Sequence, residues 1–144
     1  MARYVTTVRT PMPPDASFAY MADLRHFAEW DPGVKQVVQV EGDGGGPNTE
    51  FDVTVTGTTL RYRTLVHRSP EELVVVARSR TLTSTDKVTV QPDGEGSLVT
   101  YDAVLDLNGP LRLFDPMMKL VFGRIGDRAA AGLRAALGGV DVPS

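Results

Sequence analysis

Over residues 34–107 apolar and polar side chains alternate with a period close to two, and after residue 115 they recur with the spacing of a helix. The chain opens on Tyr4, Val5, Thr6, Thr7 and Val8, a β-branched and aromatic run that Pro11, Pro13 and Pro14 bring to a stop, because proline cannot extend a strand ladder. Phe18, Met21, Ala22 and Leu24 then fall at helical spacing until Asp31-Pro32-Gly33, a stretch that suits two short helices. Six further strands are predicted over 34–41, 50–56, 60–67, 73–80, 82–90 and 98–107, each bounded by glycine, proline or aspartate. Pro116 suits a first helical position, and Met118, Val121, Phe122, Ile125, Ala129, Leu133, Ala136 and Leu137 form one apolar stripe before Gly138-Gly139 ends the helix.

An antiparallel sheet of seven strands with one amphipathic helix must bury the helix stripe on its own inner face, so the sheet should curl around the helix. This order, with Trp30-Asp31-Pro32 after the second short helix and Gly109-Pro110-Leu111 before the long one, resembles the SRPBCC or START-like superfamily, and within it the polyketide cyclase/dehydrase-like branch. The resemblance extends over residues 4–137. It implies an α+β helix-grip fold, a seven-stranded curved sheet wrapped around the C-terminal helix, enclosing an elongated cavity for a lipid, polyketide, quinone or aromatic molecule. One domain over 1–144 is expected, with 138–144 a short tail.

Strand phase nominates the side chains that would face such a cavity. Phe51, Val53 and Val55 share one phase and Tyr62, Thr64 and Val66 another, which leaves Arg61, Arg63 and His67 outside. Tyr101 lies on the apolar phase of the last strand, and its hydroxyl then needs a partner. A loop of Thr81, Leu82 and Thr83 would set Val74 against Val90, Val76 against Val88 and Arg78 against Asp86. Facing inward, Arg78 and Asp86 form a compensated charge pair able to orient a polar ligand group; beyond the sheet edge they are a solvated pair. On the helix, Gly123, Gly126 and Gly132 with Ala129 permit close approach in the second half, whereas Met117 and Met118 mark the wider first half, as core filler or adaptable contact surface. Trp30, the only tryptophan, is placed to cap one cavity mouth, by packing alone or against a ligand. The candidate ligand contacts are therefore Trp30, Phe51, Tyr62, Thr64, Val76, Arg78, Asp86, Val88, Tyr101, Met117, Met118 and Val121.

Composition narrows the chemistry. Fifteen Lys and Arg against 18 Asp and Glu give a net charge of −3, which offers no overall electrostatic attraction to nucleic acid or anionic lipid. There is no cysteine, and His26 and His67 stand far apart, so neither a metal site nor a cofactor is expected. No apolar run is long enough to span a bilayer, and nothing at Met1 reads as a secretory signal, so a cytoplasmic location is expected. The glycine run at 42–46 lacks the Gly-Lys-Ser/Thr of a phosphate loop, and no Gly-x-Ser-x-Gly elbow occurs. Asp31 and Asp86 could act as acid or base if desolvated. The leading expectation is a protein that binds a hydrophobic small molecule between sheet and helix. An aromatase/cyclase promoting aldol cyclisation and dehydration through Tyr62, Arg78, Asp86 and Tyr101 is the first alternative, and a macromolecular adaptor or quinone chaperone the second. The sequence assigns no catalytic residue and no oligomeric state.

Overall fold

A computed structural model describes residues 1–142. Strand β1 (Ala2–Thr10) is followed by α1 (Pro14–Ala22), a 3-10 turn (Leu24–His26) and α2 (Phe27–Trp30). Six strands come next: β2 (Val34–Glu41), β3 (Glu50–Val55), β4 (Thr58–Arg68), β5 (Glu72–Arg78), β6 (Leu82–Asp93) and β7 (Gly96–Leu107). A second 3-10 turn (Gly109–Phe114), helix α3 (Asp115–Leu137) and a two-residue strand β8 (Val140–Asp141) complete the chain. All strand pairs are antiparallel in the order β2-β3-β4-β5-β6-β7-β1-β8, and α3 lies across β1 and α2. This is the helix-grip architecture.

The expected tail is in part an eighth strand. Gly138 closes α3 in the left-handed region at φ 62°, and Gly139 donates its N–H to the Arg134 carbonyl, which turns the chain back onto β1. Val140 and Asp141 then pair with Arg9 and Val8. A strand of two residues has no measurable period, so its pattern could not be seen in the sequence. Pro143 and Ser144 of that tail lie outside the described residues.

The core joins the inner face of the sheet to the short helices and to the second half of α3. Phe18, Leu24, Phe51, Leu73, Val75, Val99, Leu133 and Leu137 are all within 2% of full burial. Two glycines set the helix height above the sheet. A Cβ on Gly132 would lie 1.8 Å from the Trp30 carbonyl oxygen, and one on Gly126 would lie 2.2 Å from the Tyr4 ring. No larger residue fits either position without moving backbone or ring.

Two strand assignments need correction. Residues of β5 and β6 pair as Val74 with Lys87, Val75 with Asp86, Val76 with Thr85 and Arg78 with Thr83. Arg80 and Thr81 alone form the hairpin loop, and the Ser79 N–H donates to the Leu82 carbonyl. The register thus differs from the expected one by an odd number of residues, which exchanges the faces of one strand relative to the other. Asp86 goes inside with Leu73, Val75 and Ala77, whereas Val76 and Arg78 share the opposite face and Arg78 is exposed. In β4 a bulge between Thr64 and Val66 reverses the alternation, so His67 pairs with the inward Leu73 and meets the Phe18 ring edge-on at 5.2 Å. His67 is therefore not an outer-face residue.

Candidate ligand-binding site

Four aromatic rings from three elements, α2, β4 and β7, converge at the centre of the grip. Alternation along β7 points Tyr101 inward beside Ala103, and the end of α2 brings Trp30 to it at 5.3 Å between ring centroids. Phe27 stacks obliquely on Trp30 at 4.9 Å and meets Tyr62 and Tyr101 edge-on at 6.3 and 6.4 Å. Such edge contacts add to the stability gained from apolar burial alone.

A chain of polar groups runs through this aromatic cluster. The Tyr101 hydroxyl donates to Asp86 Oδ2 at 2.6 Å, and the Tyr62 hydroxyl shares a hydrogen bond with the Ser84 hydroxyl at 2.7 Å. Asp86 is 4% exposed and no cation reaches it among the described residues. Burial pushes its carboxyl up to about 7, against the opposing pull of the Tyr101 hydrogen bond. Burial also holds the Tyr101 and Tyr62 hydroxyls above the ordinary phenol value. The carboxyl of Asp31, the residue that caps α2, is raised by burial too, and it accepts a hydrogen bond from the Gly33 N–H at 2.9 Å.

Between α3 and the β1–β7 pair lies a cavity of about 40 Å³. Tyr4, Thr6, Tyr101 and Ala103 line its sheet side, Trp30 and Asp31 one end, and Phe122, Ile125, Gly126, Ala129, Ala130 and Leu133 the helix side. That space holds a few water-sized groups, whereas a site for a whole drug-sized ligand measures roughly 300 Å³ or more. The elongated cavity expected from the resemblance is not found among the described residues; the four rings fill the middle of the grip and leave only this small space. A second recess of about 140 Å³, between α1, Gly45 and His67, carries no buried carboxyl and no hydrogen-bond chain.

Of the candidate residues, Trp30 and Tyr101 line the cavity and Asp86 stands directly behind Tyr101. Phe51, Tyr62 and Val88 are buried in the inner wall but do not line it. Thr64 shares a hydrogen bond with Thr49 at 2.8 Å beside the bulge. Val76, though buried, and the exposed Arg78 lie on the face opposite Asp86, Met117 and Val121 are exposed, and Met118 is half-buried outside the cavity lining. The proposed Arg78–Asp86 pair does not form, since the true register separates the two across the sheet. Tyr4, Thr6 and Asp31 were not among the candidate contacts. The phase of Tyr4, Thr6 and Val8 was readable, but which other strand they would border was not.

These features define a helix-grip protein with a small, aromatic, carboxyl-bearing site between sheet and helix. The chain belongs to the polyketide cyclase/dehydrase and lipid transport family, whose model matches residues 1–138. No curated protein sequence matches it. Among solved structures it is similar to a START superfamily protein from Mycobacterium smegmatis, at 17% identity over 96% of this chain and 98% of that one, with a TM-score of 0.70. It is also similar to the Zhui aromatase/cyclase of a Streptomyces species, at 14% identity over 94% and 91% of the two chains and a TM-score of 0.67. The di-domain ARO/CYC protein StfQ of the steffimycin biosynthetic pathway matches at 15% identity over 95% of this chain and 50% of that one, TM-score 0.67. At these identities the likeness is one of fold.

Proposed function

We propose that this protein binds a hydrophobic small molecule carrying an uncharged oxygen function, held between α3 and the inner face of the sheet. The observation that carries this reading is the cavity lining: mostly apolar and aromatic side chains, with polar groups from Thr6, Asp31 and the tyrosines Tyr4 and Tyr101, and Asp86 behind Tyr101. Among the described residues no lysine, arginine or histidine lines the cavity; Asp31 is the carboxyl in the lining, and Asp86 stands behind Tyr101. An anionic ligand would be repelled by the ionised carboxylates, whereas a ligand hydroxyl can donate to Asp31, and a ligand carbonyl can accept from the Tyr101 hydroxyl once Asp86 is protonated and donates to it in turn. Entry requires the first half of α3 to shift, and that half is the one with little packed beneath it.

Trp30 emission reports on binding, because the indole lines the cavity. Titration with 2-naphthol should give a saturable change, naphthalene a weaker one and 2-naphthoate the weakest. No change with any of the three, or 2-naphthoate binding as tightly as 2-naphthol, would sink the proposal.

One observation favours an enzymatic reading beside this one. A carboxyl that titrates near neutrality, hydrogen-bonded to a phenol on the cavity wall, is suited to move a proton to and from a bound carbonyl compound. In aldol cyclisation and dehydration, such a group would take a proton from carbon and return one to the departing hydroxyl. Asp86→Asn should then abolish turnover of a poly-β-ketone mimic while leaving its binding within about threefold.

A further inference from the structure

The 3-10 turn and the first half of α3 leave unburied the most apolar surface of the molecule. Leu113, Phe114, Met117, Leu120, Val121 and Ile125 are between 43% and 83% exposed and follow one another along a single stretch of chain. A helix apolar on every side is normally covered, and a contiguous apolar patch on a protein surface marks a contact. Arg112, Lys119, Arg124 and Arg128 project from the same stretch, all exposed, and none forms an ion pair among the described residues. Its two acids are engaged with the fold: Asp115 with the N-terminal amine at 2.8 Å and Asp127 with the Tyr4 hydroxyl at 2.7 Å. A chain of net charge −3 thus concentrates four cations without an ion pair among the described residues beside this apolar ridge. The overall acidity that argued against anionic lipid conceals this local reversal.

The charge decides among occupants. A second copy bound symmetrically through this ridge would set the four cations of one chain against the same four of the other. An anionic bilayer surface meets both needs, taking the apolar side chains into the acyl boundary and the cations onto its phosphates. Among the described residues no helix is long and apolar enough to cross the membrane, and the contact considered is with its surface. Phe122 and Ile125 also line the cavity, which places the ridge on the cavity's helix side.

We propose that the Gly109–Phe114 turn and the first half of α3 dock this protein onto an anionic lipid surface. Docking stands without any ligand. That it would bring the cavity next to the hydrocarbon in which a hydrophobic ligand dissolves rests on the reading above.

The test is co-sedimentation of the full, ligand-free chain with vesicles of phosphatidylcholine alone and of phosphatidylcholine mixed with phosphatidylglycerol. Binding should be confined to the mixed vesicles and weaken as salt rises. Lys119→Gln with Arg124→Gln should lower the affinity roughly 10- to 30-fold. Leu113→Asp with Leu120→Asp should abolish it at an unchanged melting temperature, since both side chains are exposed. Equal binding to both vesicle types, or binding to neither, overturns the proposal whatever the naphthol titration gives. So does a dimer in sedimentation that Leu120→Asp dissociates, which would assign the face to a second copy.

Discussion

The two halves of α3 have similar apolar content and opposite surroundings. From Gly126 to Leu137 the helix buries Gly126, Ala129, Ala130, Leu133 and Leu137, mostly small residues that let it sit directly on Tyr4 and the Trp30 carbonyl. From Asp115 to Ile125 it carries Met117, Leu120, Val121 and Ile125 and buries none of them. Leu133 and Leu137 apart, the buried positions are small and the large apolar ones exposed. The packed half anchors the helix and contributes stability, whereas the open half leaves uncovered the apolar surface on which the proposed ligand entry and lipid docking depend.

Substitutions can break this contrast. Leu133→Ala, at a fully buried position, should cost about 2–5 kcal/mol in urea denaturation, while Leu120→Ala should stay within about 0.5 kcal/mol. Similar losses at the two sites would mean that the open half is packed in solution. A second test concerns the dry interior beside the packed half. Asp86 titrates at about 7 when folded, above its ordinary value of 3.8, so the folded state holds its proton more tightly. Its contribution to stability is complete below the unfolded value and is lost as pH rises through the folded one. Unfolding free energy should therefore fall by about 2–3 kcal/mol from about pH 5 to about pH 8, and Asp86→Asn should remove that part of the fall. A pH profile unaltered by the substitution would show Asp86 to be hydrated. Gly132→Ala should cost roughly 3 kcal/mol, because backbone must move away from the Trp30 carbonyl. The smallest effect has the opposite sign: nothing lies within 4 Å of a Cβ on Gly123, so Gly123→Ala should stabilise by about 0.5–1 kcal/mol, read as a rise in melting temperature.

Much of the architecture was legible because it rests on local rules. Pro11 and Pro14 end β1 and open α1, the alternation of Val99, Tyr101 and Ala103 sends those side chains inward, and Gly138 stops α3. Tyr101 was expected to need a buried partner and finds one in Asp86. Less of the site could be read. Placing Asp86 against Arg78 failed because register depends on where a hairpin turns, and a two-residue loop at Arg80 and Thr81 differs from a three-residue one by little in sequence. His67 was misplaced because one bulge reverses every later side chain in its strand. Val121 was put toward the cavity because periodicity identifies an apolar face without saying how far the sheet extends beneath it, and Met117 because a flexible side chain suits a wide cavity end, whereas both are exposed.

Period, proline, glycine and charge count act within a few residues of themselves, so the residue order by itself determined the succession of strands and helices and the direction of most side chains. Which strands lie next to each other, that a carboxyl rather than an ion pair stands behind Tyr101, and that half of α3 overhangs the grip were decided only on folding. Those outcomes depend on contacts between residues far apart in the chain, where a shift of one position exchanges inside for outside.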